Sequence, residues 1–209
     1  MIAPTSPLVL VVDDDASVRK SLARLVKNAG YEVETFPSVR DFLARPPYVG
    51  PSCLVLDVRM PGLTGLDLQE ALRATGQRLS IVFITGWGDI RASVKAMKGG
   101  AVDVLTKPLD EGTLLAAIQQ AVTRTIEERK EQARVTEVRR HITTLTPREA
   151  EVFALVVTGM LNRQIGHELG IVEKTVKVHR ARVMEKMRAG SLAELVRLAG
   201  AGGVIAARP

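Results

Sequence analysis

Cysteine is almost missing from this 209-residue chain. Cys53 is the only one, so no internal disulfide can form, and because it opens an apolar stretch it is expected to be a reduced core thiol. No apolar run approaches the roughly 20 residues that a membrane helix needs. The first residues also lack the basic start and cleavage site of a signal peptide, so no membrane association and a cytoplasmic location are expected. Asn162 to Arg188 contains no Phe, Tyr or Trp, which argues against RNA recognition by base stacking. From Gly112 to about Arg140 there is no further glycine or proline to interrupt a helix.

What is present suits a globular protein with a substantial core: 46% hydrophobic and 25% charged residues, in a length that allows one large domain or two ordinary ones. The net charge of +6 is unevenly placed. Residues 1–122 hold 13 Lys/Arg and 13 Asp/Glu, whereas residues 123–209 hold 16 and 10 and so carry the whole excess. A neutral first half and a basic second half imply two domains, the second facing a polyanion such as nucleic acid.

In the first half, short apolar runs alternate with amphipathic segments. Strands are expected at Leu8 to Val12, Val33 to Phe36, Cys53 to Leu56, Ser80 to Ile84 and Val102 to Leu105. Helices are expected between them, the first capped by Ser17, with a last one beginning near Glu111. This order implies a parallel sheet covered by helices on both faces, whose site lies beyond the carboxyl ends of the strands. Asp13 and Asp14 end the first strand, Asp57 the third and Thr85 the fourth, and the fifth runs into Lys107-Pro108. Each of these residues alone reads as a cap or turn former. Together, three carboxylates need a cation, Mg²⁺ or Mn²⁺ by their hard oxygen donors, while a lysine and a hydroxyl beside them suit a phosphoryl group.

Val11-Val12-Asp13-Asp14-Asp15, Leu56-Asp57-Val58-Arg59-Met60-Pro61-Gly62, Thr85-Gly86 and Lys107-Pro108 together resemble the receiver domain of bacterial two-component signalling. The resemblance implies a flavodoxin-like sheet in the order 2-1-3-4-5, an order that is general knowledge of this fold class. It implies that Asp57 accepts a phosphoryl group. Asp13, Asp14, Asp57 and the Arg59 carbonyl would hold Mg²⁺, Thr85 and Lys107 would serve the transfer, and the Lys107–Pro108 bond would be cis. One position departs from the family pattern. Receivers commonly carry an aromatic residue three before the lysine, whose rotation reports phosphorylation, and here Val104 stands there. Trp87 is near enough to move with the Thr85 loop, or to have an ordinary packing or surface role.

Beyond Glu111 the spacing predicts one long helix, with an imperfect stripe of Leu115, Ile118, Val122, Ile126, Ala133 and Val138. It would be either a solvated spacer or a dimer helix. Thr146, Pro147 and Glu149 form a helix start with a capping box. That helix places Val152, Leu155 and Val156 on its apolar side. Asn162 opens a short helix stopped by Gly170, and Lys174 to Met187 forms a longer one with Val176, Val183 and Met187 buried and Lys174, Lys177, Val178 and Ala181 outward. This is a helix-turn-helix pattern. Asn162 to Arg188 carries seven Lys/Arg against three Glu, a density suited to phosphates, although a solvated basic helix has the same composition.

Leu145 through Leu198 resembles the four-helix LuxR-type DNA-binding domain, with Glu173 to His179 matching its recognition helix and Ser191 to Leu198 its last helix, which in that family pairs two domains. The resemblance implies DNA contacts from Asn162, Arg163, Lys174, Thr175, Lys177, Val178, Ala181 and Arg182. The whole resembles NarL/FixJ-class response regulators. A receiver over 1–122, a helical linker over 123–143 and an all-α DNA-binding domain over 144–209 are expected, with a Gly/Ala-rich tail after Leu198. The implied function is transcriptional regulation, not enzymatic turnover. A sensor histidine kinase, double-stranded promoter DNA, a second copy after phosphorylation and RNA polymerase are the partners. A haloacid dehalogenase-like phosphohydrolase would carry a second Asp where Arg59 stands. A basic domain that binds RNA or protein is the other alternative.

Overall fold

The computed structural model describes residues 6–46, 48, 50–77 and 79–204. The first five residues and the end of the Gly/Ala-rich tail, 205–209, lie outside the described residues. Two compact units divide between Glu128 and Arg129.

The first unit alternates β1 (Leu8–Val12), α1 (Ala16–Asn28), β2 (Glu32–Phe36), α2 (Val39–Ala44), β3 (Ser52–Asp57), α3 (Gly65–Ala74), β4 (Ser80–Thr85), α4 (Ile90–Lys98), β5 (Asp103–Thr106) and the first part of α5 (Glu111–Ile142). All strand pairs are parallel and the order is β2-β1-β3-β4-β5, as the resemblance implies. Side-chain alternation splits the core in two. Leu8, Leu10, Val12, Leu54, Leu56 and Phe83 pack with residues of α2, α3 and α4; Val9, Val11, Val55, Val82 and Ile84 pack with residues of α1 and α5. Burial on both faces is why β1, β3 and β4 read as unbroken apolar runs.

Three local expectations are corrected. Asp15 caps α1, its carboxylate accepting from the Ser17 and Val18 amides at 2.7 and 3.3 Å, and Ser17 lies within the helix. A carboxylate there also complements the helix dipole. At the start of α5 it is Leu114, not Leu115, that is fully buried, and Leu114, Ala117, Ile118, Ala121 and Val122 form the stripe; Ala133 is exposed. Thr125 continues that buried side by donating to the Ser52 carbonyl at 2.9 Å.

The second unit contains the rest of α5, then α6 (Pro147–Val156), α7 (Asn162–Leu169), α8 (Glu173–Lys186) and α9 (Leu192–Gly202). Val152, Phe153, Ile165, Val176, Val183, Met187, Leu195 and Val138 form its core. Phe153 is buried with them, and Leu155, partly buried, packs against this core as expected. Thr146 caps α6 in a full capping box with Glu149, and Pro147 is at the start. Gly170, at φ 65°, ends α7 in a conformation that favours glycine and turns the chain towards α8. The last helix runs past Leu198 to Gly202. A side chain at Gly202 would overlap Ile142, so the small residues of the expected tail instead extend a tightly packed helix. Among the described residues no helix is long and apolar enough to cross a membrane.

Candidate functional site

Parallel register brings the strand ends to one edge of the sheet. Val12 lies beside Leu56, Asp57 beside Ile84, and Thr85 beside Thr106, so the residues that follow β1, β3, β4 and β5 emerge together. One carboxylate oxygen from each of Asp13, Asp14 and Asp57 lies within 4.8 Å of the others. Asp13 and Asp57 are buried, and Asp14 is exposed. Lys107 reaches in from the β5 end, its Nζ 2.9 Å from Asp13 Oδ2 and 2.5 Å from Asp57 Oδ2. Its bond to Pro108 is cis.

The other oxygens of Asp13 and Asp57 accept from backbone donors. Asp13 Oδ1 accepts from the Asp15 amide at 2.8 Å and Asp57 Oδ1 from the Arg59 amide at 2.9 Å. These bonds aim each carboxylate, leaving Asp57 Oδ2 turned towards Lys107. Burial pushes the Asp57 carboxyl above its ordinary range, against the hydrogen bonds from Lys107 and Arg59 that favour the charged form. Burial also pulls the Lys107 ammonium down, but hydrogen bonds to Asp57 and Asp13 outweigh it and leave its pKa raised. Lys107 therefore stays a cation among carboxylates.

Thr85 ends β4 fully buried, and its hydroxyl has no hydrogen-bond partner. A buried, unpaired hydroxyl is costly, and this one stands at the end of the strand that neighbours the one carrying Asp57. The backbone around it is fixed, since the Lys107 amide donates to the Thr85 carbonyl at 2.8 Å and the Val58 amide to the Ile84 carbonyl at 2.9 Å. Val104 is partly buried and packs against the core. Trp87 is 93% exposed.

Four contributors were not apparent from the sequence. Arg19 donates to the carbonyls of Asp13 and Asp14 at 2.7 and 2.9 Å, bracing the acidic turn. Gly65 packs so closely on the Asp57 carbonyl that any side chain there would overlap it. The guanidinium of Arg59 is 2.8 Å from Asp89, ahead of α4. In the second unit, Lys186 reaches Glu149 at 2.5 Å and the Thr144 carbonyl at 3.0 Å. Only Arg19, a cation in the first turn after paired acids, carried a signal that could have been used.

The DNA-facing candidates lie on α7 and α8. Arg163, Lys174, Lys177, Val178, Ala181 and Arg182 are exposed, and Thr175 is partly buried. Lys177 pairs with Glu173 at 3.1 Å. Asn162 is partly buried and accepts from Arg180 at 3.1 Å, which ties the start of α7 to the middle of α8. Glu149 is buried beneath α8. Its hydrogen bond from Lys186, followed by that from the Thr146 amide, lowers its pKa to about 2, so it is ionised and links the first turn of α6 to the last of α8.

Comparison with known proteins gives two domain matches: "Response regulator receiver domain" over residues 9–119 and "Bacterial regulatory proteins, luxR family" over residues 143–199. Nodulation protein W of Bradyrhizobium diazoefficiens is 47% identical over 204 residues, covering 98% of this chain and 90% of its own. Transcriptional regulatory protein FixJ of Azorhizobium caulinodans is 42% identical, covering 96% and 95%. Among solved structures, response regulator StyR matches with a TM-score of 0.82 and 46% identity over 94% of this chain and 99% of that one.

Proposed function

The chain belongs to the response regulators that join a receiver domain to a luxR-family DNA-binding domain, and from that premise we propose that phosphorylation of Asp57 controls how the second domain engages promoter DNA. The supporting observation is the Lys107 ammonium held between the buried carboxylates of Asp13 and Asp57, with the buried, unpartnered Thr85 hydroxyl at the end of the neighbouring strand. The functional ranges are 1–122 for the receiver, 123–143 for the helical linker and 144–209 for the DNA-binding domain.

In the transfer, an Asp57 carboxylate oxygen attacks phosphorus. The bond from phosphorus to the donor breaks, the donor leaves with that electron pair, and an acyl phosphate remains. The donor is a phosphohistidine of a sensor kinase or a small acyl phosphate. Lys107 offsets charge on the phosphoryl oxygens, and Thr85 donates a hydrogen bond to one of them. Receivers generally use Mg²⁺ at such an acidic pocket, and the all-oxygen donor set of Asp13, Asp14 and Asp57 fits it, or Mn²⁺, with the Arg59 carbonyl as a further ligand. The ion, when bound, supplies positive charge against the incoming phosphoryl group.

Phosphorylation adds roughly two negative charges beside Asp13 and Asp14. Thr85 is then drawn inward and α4 follows. Its exposed Ile90, Val94 and Met97 support a role in pairing with a second copy. The paired DNA-binding domains present Arg163, Lys174, Thr175, Lys177 and Arg182 to phosphates and Val178 and Ala181 to base edges, with Asn162 at the border. RNA polymerase is a further partner in this scheme, and its place is the cytoplasm. Asp57→Asn is expected to abolish covalent labelling by acetyl phosphate with Mg²⁺, and persistent labelling would remove Asp57 as the acceptor.

A further inference from the structure

The acceptor loop is tied to α4 by one ion pair outside the acidic cluster. Arg59 contributes at both ends of the connection: its amide donates to Asp57 Oδ1 at 2.9 Å, and its guanidinium Nε lies 2.8 Å from Asp89 Oδ2. Asp89 occupies the N-cap position of α4, yet its carboxylate makes no capping hydrogen bond there. A free Asp in that position would satisfy helix N–H groups. The Ala92 amide stands close enough to contribute to lowering the Asp89 pKa, behind the hydrogen bond and charge of Arg59. Asp89 therefore has two competing uses, and in this structure Arg59 holds it.

The pair is built to be displaced. The Arg59 side chain is 76% exposed and that of Asp89 15%, so the pair is open to solvent on its arginine side and contributes little stability. The segment between Thr85 and Asp89 offers little resistance to movement. A side chain at Gly86 would meet nothing within 4 Å, Gly88 sits at φ 86°, and Trp87 is almost wholly exposed. Val104, in place of an aromatic residue, leaves no ring at that position to carry the signal.

We propose that the Arg59–Asp89 pair restrains α4 while Asp57 is unmodified, and that a phosphoryl group on Asp57 draws the Arg59 guanidinium away and frees Asp89 to cap α4. This rests on Asp57 being the phosphoacceptor. Both ends of the 85–89 segment then change in one event, because Thr85 moves towards the phosphoryl group as Asp89 exchanges Arg59 for the first turn of α4. Arg59 and Asp89 are positioning residues, and the acyl phosphate forms without either side chain.

Trp87, the only tryptophan in the chain, lies inside this segment and reports on it. Emission of the full-length protein is followed while acetyl phosphate with Mg²⁺ is added, and covalent incorporation is measured on the same samples. Wild-type emission is expected to change in step with incorporation. Asp89→Asn is expected to start at least halfway to the phosphorylated value and to change correspondingly less, and its unphosphorylated form to bind duplex DNA about twofold to fivefold more tightly, the range an exposed pair can supply. Arg59→Gln combined with Asp89→Asn should add nothing to Asp89→Asn alone. An Asp89→Asn protein with wild-type emission before phosphorylation and the full wild-type change after it overturns the restraint while leaving Asp57 in place. Labelled wild-type protein with unchanged emission also overturns it. Failure of the wild type to be labelled overturns the phosphoacceptor assignment and this proposal with it.

Discussion

The two units place their charges in opposite ways. In the first, Asp13, Asp57 and Thr85 are buried and Lys107 is half-buried, and the Lys107 ammonium contacts Asp13 across 94 residues of sequence. In the second, Arg163, Lys174, Lys177 and Arg182, the cations proposed to meet DNA, are exposed and stand on two neighbouring helices. Buried charges interact strongly and must all be satisfied at once, whereas exposed charges are screened and act nearly independently. One unit is thus organised for a single cooperative event and the other for many small contacts.

The sharpest test of that contrast is Lys107→Ala. Removing the ammonium that, among the described residues, alone contacts both the Asp13 and Asp57 carboxylates should slow Asp57 labelling about a hundredfold, as losing one preorganised donor does elsewhere. A slowing of less than about tenfold would mean that the acidic cluster does not act as a unit.

A second test asks whether the DNA-binding unit has any buried charge on which it depends in the same way. Glu149 and Lys186 are the candidates, and Lys186→Met should destabilise that unit by about 2 kcal/mol, the worth of a charged hydrogen bond. Its pH dependence has a definite sign. The Glu149 pKa falls from 4.5 to about 2 on folding, so its contribution is complete above pH 4.5 and is lost as the pH falls towards 2. In Lys186→Met the dependence over that window should flatten, as followed by thermal denaturation of the full chain at several pH values. An unchanged acid limb would place the pair outside the stability of the fold.

The smallest effect is expected at Lys177. Because it shares its charge with Glu173, Lys177→Ala should weaken duplex binding only a few-fold, uniformly across sequences, and reduce the salt slope by about one. An affinity loss confined to one base pair would mean base readout in place of phosphate contact.

The same contrast explains what could be read from the sequence. Asp13, Asp57, Thr85 and Lys107 were found because each ends an apolar run, and a parallel sheet has only one edge at which such ends can meet. The capping box of Thr146 and Glu149 was legible because its parts are three residues apart. Lys186 was not legible as the partner of Glu149, being 37 residues away on a helix whose rotation only packing decides. Arg59 and Asp89 were hidden for a similar reason, since each has a satisfactory local role as a loop cation or a helix cap. Leu114 was misplaced by one residue because Leu114 and Leu115 are equally apolar, and only the sheet selects which one faces it.

Cys53 lies in β3, wholly buried and unpaired, four residues before Asp57 on the same strand. Burial pushes its thiol pKa up, so the reactive thiolate is scarce in the closed fold. A thiol reagent can reach it only when the central strand comes loose, and no second cysteine competes for that reagent. The rate of alkylation is therefore a clock for the opening of the sheet that carries Asp57, and it is built into the natural sequence without an added label.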